Sequence, residues 1–396
     1  MFERDVALER VMDVLSAVGD VTVEPLDDAG RVVGAELSAS GNTLTQSVGK
    51  GEGSKASRAA VFELLEHAAY EGLLETEGCG DQVHASMLYG DGEYALDAVT
   101  ASVVSSGEAY FAYKYEGIAE SIWVPDPLAS RSSSSARRLA VYFGNSTGWA
   151  AHHNHEQAVR HAVLELYERD AVSAFIGSYL SGFASGWPVM LLENTPQRAL
   201  AESLASDYST EIQLREIPSM KGRCVVAFGD VDDMIGRAVF AASCREDLDS
   251  AAQHALLELE QELLVERLNL PFDGDTPDVA ARALDRYPHL KTAADMHWLR
   301  DLRQSDKISD AVWVGDFEAP ALPSSAVNPE EAFVRRVWYD HSGASEACVV
   351  QVYVPGLEKL HVLRHGRPVE PIARLRTTEL LSHCRSDGFE TRGAPY

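Results

Sequence analysis

Apolar and polar residues repeat along this chain with two periods, and the places where one gives way to the other mark its elements. Residues 6–18 place apolar side chains at helical spacing and predict a short amphipathic helix. Over 21–37, a run from Val21 to Leu26 and another from Arg31 to Leu37 flank the turn signal Asp27-Asp28-Ala29-Gly30, which predicts a hairpin. Residues 94–114 and 138–146 read as strands. The stretch between them holds Pro125-Asp126-Pro127 and the serines 132 to 135, the composition of a surface loop, with a mobile lid as the sharper reading. Pro-rich turns around one or two helices fill 271–330, and strand character returns over 347–365.

The remaining segments, at about 55–73, 155–181 and 249–268, carry the helical period over greater length. They also share a pattern, Ala-x3-Ala-x2-Glu-Leu-x-[Glu/Gln]. The first copy is Ala56, Ala60, Glu63, Leu64 and Glu66; the second is Ala158, Ala162, Glu165, Leu166 and Glu168. The third is Ala251, Ala255, Glu258, Leu259 and Gln261. Three joint matches at five positions point to an internal repeat. On a helix these spacings put the small alanines and the polar groups on one stripe, where another backbone or a flat ligand can approach. Recurrence at about 100-residue intervals predicts quasi-equivalent strand-and-helix units converging on a centre.

A Glu-x-x-Glu pair on a helix is ordinarily a solvated acidic face. Here Glu63 stands among Phe62, Leu64 and Leu65, and Glu165 among Leu164, Leu166 and Tyr167, so both pairs are expected to be partly buried. Buried carboxylates need partners, and oxygen ligands without His or Cys suit a hard ion such as Mg2+, completed by waters and substrate phosphates. Glycines and lysines from Gly49 to Lys55 lead into the first helix and could bring backbone and Lys50 to a phosphate, although the P-loop spacing is missing. Gly144 to Trp149 forms a tight polar turn before the second helix. Arg169 could pair a phosphate or simply Glu165. His152-His153-Asn154-His155, at a helix start, reads as capping or solvent-facing before it reads as a transition-metal site. No segment sustains coiled-coil heptads.

With 34 Lys plus Arg against 61 Asp plus Glu, the formal charge of −27 argues against nucleic acid and anionic membranes as partners. Five scattered cysteines, an N-terminus that is acidic where a signal peptide is basic, and no apolar run of bilayer length lead to the expectation of a cytoplasmic protein.

Ser146 to Ala151, then Glu156-Gln157-Ala158 and Leu164 to Asp170, resemble the central signature of the YcaO superfamily. Gly51-x-Gly53 with Ala59 to Glu66, Ala255 to Gln261, and Val352 to Glu358 resemble its other blocks, in family order. The resemblance implies a mixed α+β fold of the YcaO type, with residues 1–48 an N-terminal helix and hairpin region and 49–396 the catalytic domain. It implies Mg2+ held by Glu63, Glu66, Glu165 and Glu168, and ATP contacted by Lys50, Ser57, Thr147, Arg169 and Gln261. Thr147, Ala59, Gln157 and His254 depart from the usual residues at their positions. The implied activity is phosphorylation of a backbone amide oxygen in a ribosomal precursor peptide, closing Cys, Ser or Thr into a thiazoline or oxazoline. Amidine formation, thioamide formation and an inert scaffold are the competing expectations. The resemblance allows either a separate ThiF-like leader-binding protein, with a flavin dehydrogenase, as partners or a standalone member, with a homodimer allowed. Azoline-forming relatives often end in a Pro-rich tail reaching the active site; this chain ends in Gly393-Ala394-Pro395-Tyr396.

Overall fold

A computed structural model of the chain describes residues 5–51, 53–75, 81–84, 109–117, 121–125, 144–180, 196–230, 238–268, 282–294, 298–299, 332–340, 347–371 and 375. Residues 126–137 of the expected loop or lid, most of the expected 94–114 and 138–146 strands and the C-terminal tail lie outside the described residues. The part of that loop that is described departs from the expectation: Ser121–Pro125 is a strand, because Ile122 and Val124 alternate onto the core face and are buried there. Gly144 to Ser146, the described end of the expected 138–146 strand, are not strand, and Gly144 and Asn145 form a bend instead.

Two runs of the chain build the same unit. The first is α1 (Val6–Ser16), β1 (Asp20–Pro25), β2 (Val32–Ala39), β3 (Asn42–Lys50) and α2 (Ser54–Tyr70). The second is α4 (Pro196–Asp207), β8 (Ile212–Ile217), β9 (Arg223–Asp230), β10 (Ala238–Arg245) and α5 (Leu248–Leu268). Each is an antiparallel three-stranded meander followed by a long helix on its face. The predicted hairpin is β1 and β2, and its turn is held by Val32 N–H donating to Asp27 Oδ1 at 2.9 Å. β3 crosses position 48 and carries α2 on its surface. Gly49 makes that packing close: a Cβ there would lie 2.0 Å from the Ala60 nitrogen and 2.3 Å from the Ala56 oxygen.

The central unit uses a six-stranded sheet of β4 (Asp81–His84), β5 (Ala109–Glu116), β6 (Ser121–Pro125), β7 (Trp149–His152), β11 (Phe333–Tyr339) and β12 (Cys348–Tyr353). Its helix is α3 (His155–Leu180); α6 (Pro288–Ala294) and a 3-10 helix (Leu360–His365) complete the regular structure. The strand character expected through 365 stops at Tyr353. Leu360, Val362 and Leu363 are buried from a 3-10 turn, whose close apolar spacing resembles strand alternation.

Burial explains why the inner elements are apolar on more than one side. β9 sends Cys224, Val226 and Phe228 toward α3, and Val225 and Ala227 toward α5, so its run lacks polar alternation. α3 is packed on both sides and buries Tyr167, Val172, Phe175 and Ile176. At about 25 cal/mol per Å2 of apolar surface, each such fully buried side chain contributes about 1.5–3 kcal/mol. Cys224, Cys244 and Cys348 are buried. Among the described residues no helix is long and apolar enough to cross a membrane.

Candidate active site

Helices α2, α3 and α5 are related in a quasi-threefold way. Each packs on the sheet of its own unit and also reaches the next: α2 touches β7, α3 touches β10 and α5 touches β3. Hydrogen bonds mark two of these junctions. Glu66 accepts the Ala151 N–H in β7. Glu168 Oε2 accepts the Cys244 N–H in β10 at 3.3 Å. Ala151 and Cys244 each sit one residue before the end of their strand. Gln261 holds the corresponding place on α5, and its buried Oε1 has no hydrogen-bond partner among the described residues.

The two predicted carboxylate pairs converge in this ring. The charges of Glu165 and Glu63, after burial, hold the Glu66 carboxyl well above its usual range. Burial raises Glu165 against the opposing charge of Arg169, and Glu258 and Glu63 add to the rise. Glu168, its side chain 8% exposed, is pushed up to about 7 by burial, with Glu258 contributing and Arg169 opposing. Gly148 N–H donates to Glu165 Oε2 at 3.2 Å. This glycine has a φ of 85°, and a Cβ on it would lie 2.5 Å from the Val352 oxygen, so both its conformation and its tight approach exclude a side chain.

Each predicted phosphate-binding cation is held by a carboxylate. Arg169 reaches Glu168 Oε1 at 3.3 Å and Glu165 Oε1 at 3.6 Å, so both alternatives for it remain compatible with the same site. Lys50 is ion-paired with Glu258. Burial works to raise Glu258, but the charge and hydrogen bond of Lys50 overcome it and hold the carboxyl below its usual range. Thr147 stands in the turn before β7, its N–H bonded to Asn145 Oδ1 at 3.0 Å and its chain neighbour Gly148 on Glu165. Ser57 lies on α2 about 120° round the helix from Glu63, at about 100° per residue.

Several residues here were not assigned from sequence. Glu258 is the third-helix counterpart of Glu63 and Glu165, a role that the repeat itself signalled. Glu262, one turn further along α5, is raised by burial with Arg364 opposing. His161 and His254 stand one turn before Glu165 and Glu258. The outer edge of His161 is exposed, yet protein surrounds it; burial first, then Arg245 and Lys50, push both imidazoles down to about 4. The His152–Asn154 stretch acts as a cap, with Asn154 Oδ1 accepting the Gln157 N–H at 3.0 Å and the ring of His153 tilted by 33° against that of His152.

Crowded carboxylates facing Lys50, Arg169 and Arg245 in a ring of three helices define a site for a cation together with a polyanion. The family profile described as "YcaO cyclodehydratase, ATP- and Mg2+-binding" matches residues 48–358, and this chain belongs to that family. No curated relative matches the sequence. Solved structures are similar in fold. YcaO from Methanopyrus kandleri bound with AMPPCP and Mg2+ has 18% identity and a TM-score of 0.57, with 90% of this chain and 91% of that one covered. The E. coli microcin synthetase McbBCD complex with pro-MccB17 bound has 14% identity and a TM-score of 0.58, with 86% and 88% covered. A heterocyclase in complex with substrate and cofactor has 14% identity and a TM-score of 0.51; this chain is covered to 90% and spans 53% of that one.

The residues fit the Mg2+ and ATP of that description. Carboxyls driven upward by burial and by one another are stabilised by a dication, and the orphaned Gln261 Oε1 awaits a donor. Among the described residues no three His, Cys, Asp or Glu side chains come together as a metal shell. Mg2+ takes one or two carboxylates and keeps waters and phosphates, so a closed protein cage is not required.

Proposed function

We propose that this chain uses ATP to activate a backbone amide of a ribosomally made peptide and closes a Cys, Ser or Thr side chain onto it, giving a thiazoline or oxazoline. The observation that carries the reading is the convergence of Glu63, Glu66, Glu165 and Glu168 beside Arg169 in one ring of helices. In the proposed reaction the side-chain sulfur or oxygen loses its proton and adds to the preceding carbonyl carbon. The former carbonyl oxygen then takes the γ-phosphoryl group, releasing ADP. The nitrogen lone pair expels phosphate as the N–H proton leaves, and a C=N bond closes the ring. ATP solves one difficulty, the poor leaving ability of an amide oxygen.

The four glutamates are proposed to hold Mg2+, whose chemistry is to offset charge on the transferring group. Lys50, Ser57, Thr147, Arg169 and Gln261 are proposed to bind the nucleotide. Arg169, steered by two carboxylates, places a fixed positive charge where phosphoryl negative charge develops. The microcin synthetase named above is a complex with a pro-peptide bound, which supports a precursor peptide and partner subunits in general; that those partners are a leader-binding protein and a flavin dehydrogenase is part of the proposal.

The test is turnover. ATP, Mg2+ and a Cys- or Ser-rich precursor peptide are incubated with the protein, and ADP release and peptide mass are followed. Loss of one water per ring, abolished at least a hundredfold by Glu165→Gln or Glu63→Gln in folded protein, is the expected result; about 3 kcal/mol of transition-state stabilisation corresponds to that factor. Unchanged ATP hydrolysis in both variants would show the carboxylates to be structural.

A further inference from the structure

The quasi-threefold ring also brings one strand terminus from each unit to an equivalent place. β3 ends at Lys50, β7 at His152 and β10 at Arg245, and each of these residues stands six before the first alanine of its repeat, Ala56, Ala158 and Ala251. Two of the three are committed. Lys50 is paired with Glu258. His152 accepts the Asn154 N–H on Nδ1 at 3.1 Å, and its ring lies 4.1 Å from that of His153. Arg245 is half-buried and has no carboxylate partner among the described residues.

Its guanidinium is nevertheless held in place. Nη1 donates to the Cys244 carbonyl at 2.7 Å, and the N–H of the same Cys244 is bonded to Glu168. One end of the planar fork is thus fixed beside the carboxylate ring while other N–H donors remain for a ligand. Around it the charge of Arg245 bears on His161, His254, Glu168 and Glu258, so it lies within the cleft formed by α3 and α5. A half-buried cation with fixed donors, near carboxylates but in no ion pair with one among the described residues, is complemented by an anion, and phosphate matches its geometry.

We propose that Arg245 contacts the phosphate chain of the bound nucleotide, completing on the third unit the cationic wall begun by Lys50 and Arg169. The inference rests on the ATP reading above, and the test separates the two. Calorimetric titration with adenosine and with Mg2+–AMPPCP is carried out on the full chain and on Arg245→Ala, Arg245→Gln and Arg245→Lys. Arg245→Ala and Arg245→Gln are expected to weaken Mg2+–AMPPCP binding about tenfold or more, as for a lost charge-assisted hydrogen bond, with Arg245→Lys recovering part of the loss. Adenosine affinity should stay within about twofold, and melting of the ligand-free variants should match the parent. Unchanged AMPPCP affinity in the variants overturns the assignment of Arg245 alone. An equal loss for adenosine also overturns it, because the residue would then be acting on the shape of the pocket. Failure of the unmodified chain to bind either ligand overturns the ATP reading and this inference with it. If the alanine variant does not fold, the comparison of Arg245→Gln with Arg245→Lys decides the matter on the same criteria.

Discussion

Glu168 sits in an environment that opposes its charge. Its carboxyl rises from 4.5 to about 7, so the folded chain holds this proton at a pH where the unfolded chain has released it. Ionisation therefore destabilises the ligand-free fold, beginning near pH 4.5 and complete just above pH 7. Glu168→Gln is expected to leave melting unchanged near pH 4.5 and to raise it progressively up to about pH 7, with a plateau beyond. The gain at the plateau is at most about 3 kcal/mol. His161 and His254 titrate with the opposite sign over part of that window, but they are common to both proteins and drop out of the difference. Thermal melts of the two ligand-free proteins across pH 4.5–8 check this; a gain that is flat with pH would mean that carboxylate ionisation is not its source.

Among the elements, the β3–α2 contact fixes where Glu63 and Glu66 stand. Gly49→Ala would set a Cβ against backbone atoms of α2, which cannot swing aside as a flexible side chain could. A loss of about 3 kcal/mol or more is expected, read as an early melting transition by circular dichroism. Wild-type melting would show that the strand and helix can separate freely. The three long helices were legible because their alanines and glutamates recur on one stripe. β3 was not: Thr45 and Ser47 are buried, yet they read as surface residues. Their hydroxyls are satisfied locally, Ser47 by the Ala60 carbonyl at 2.7 Å and Thr45 by Glu71 at 3.1 Å. β7 is too short, at four residues, for alternation to declare it. The strand ends at Lys50, His152 and Arg245 differ in residue type, so they match only once the helices have been aligned. What the repeat could not convey was which charges neutralise which. Glu258 belongs to the same stripe as Glu63, but only the folded arrangement pairs it with Lys50.

Across the whole molecule, the ligand-free site is closed by its own ions: Glu258 holds Lys50, and Glu165 and Glu168 hold Arg169. Mg2+ alone must compete with these cations, and a nucleotide alone must compete with these carboxylates. In the proposed site the two together would each engage the side chains that the other releases. The rise in melting temperature with Mg2+ and AMPPCP combined should therefore exceed the sum of the two separate rises, reaching about 2.7 kcal/mol of added stability at a hundred times the dissociation constant. Additive shifts measured by scanning fluorimetry would overturn this coupling. The strand order carries a different consequence, one of timing. Among the described residues β7 pairs with β12 alone, and Cys348 lies 196 residues beyond its partner His152. The strand leading into α3 must therefore wait for nearly half the chain to be synthesised before its edge is covered, about 10–40 s at ~5–20 residues per second. During translation the segment bearing Glu165 and Glu168 is an open β-edge beside an apolar helix, the kind of nascent surface that chaperones shield.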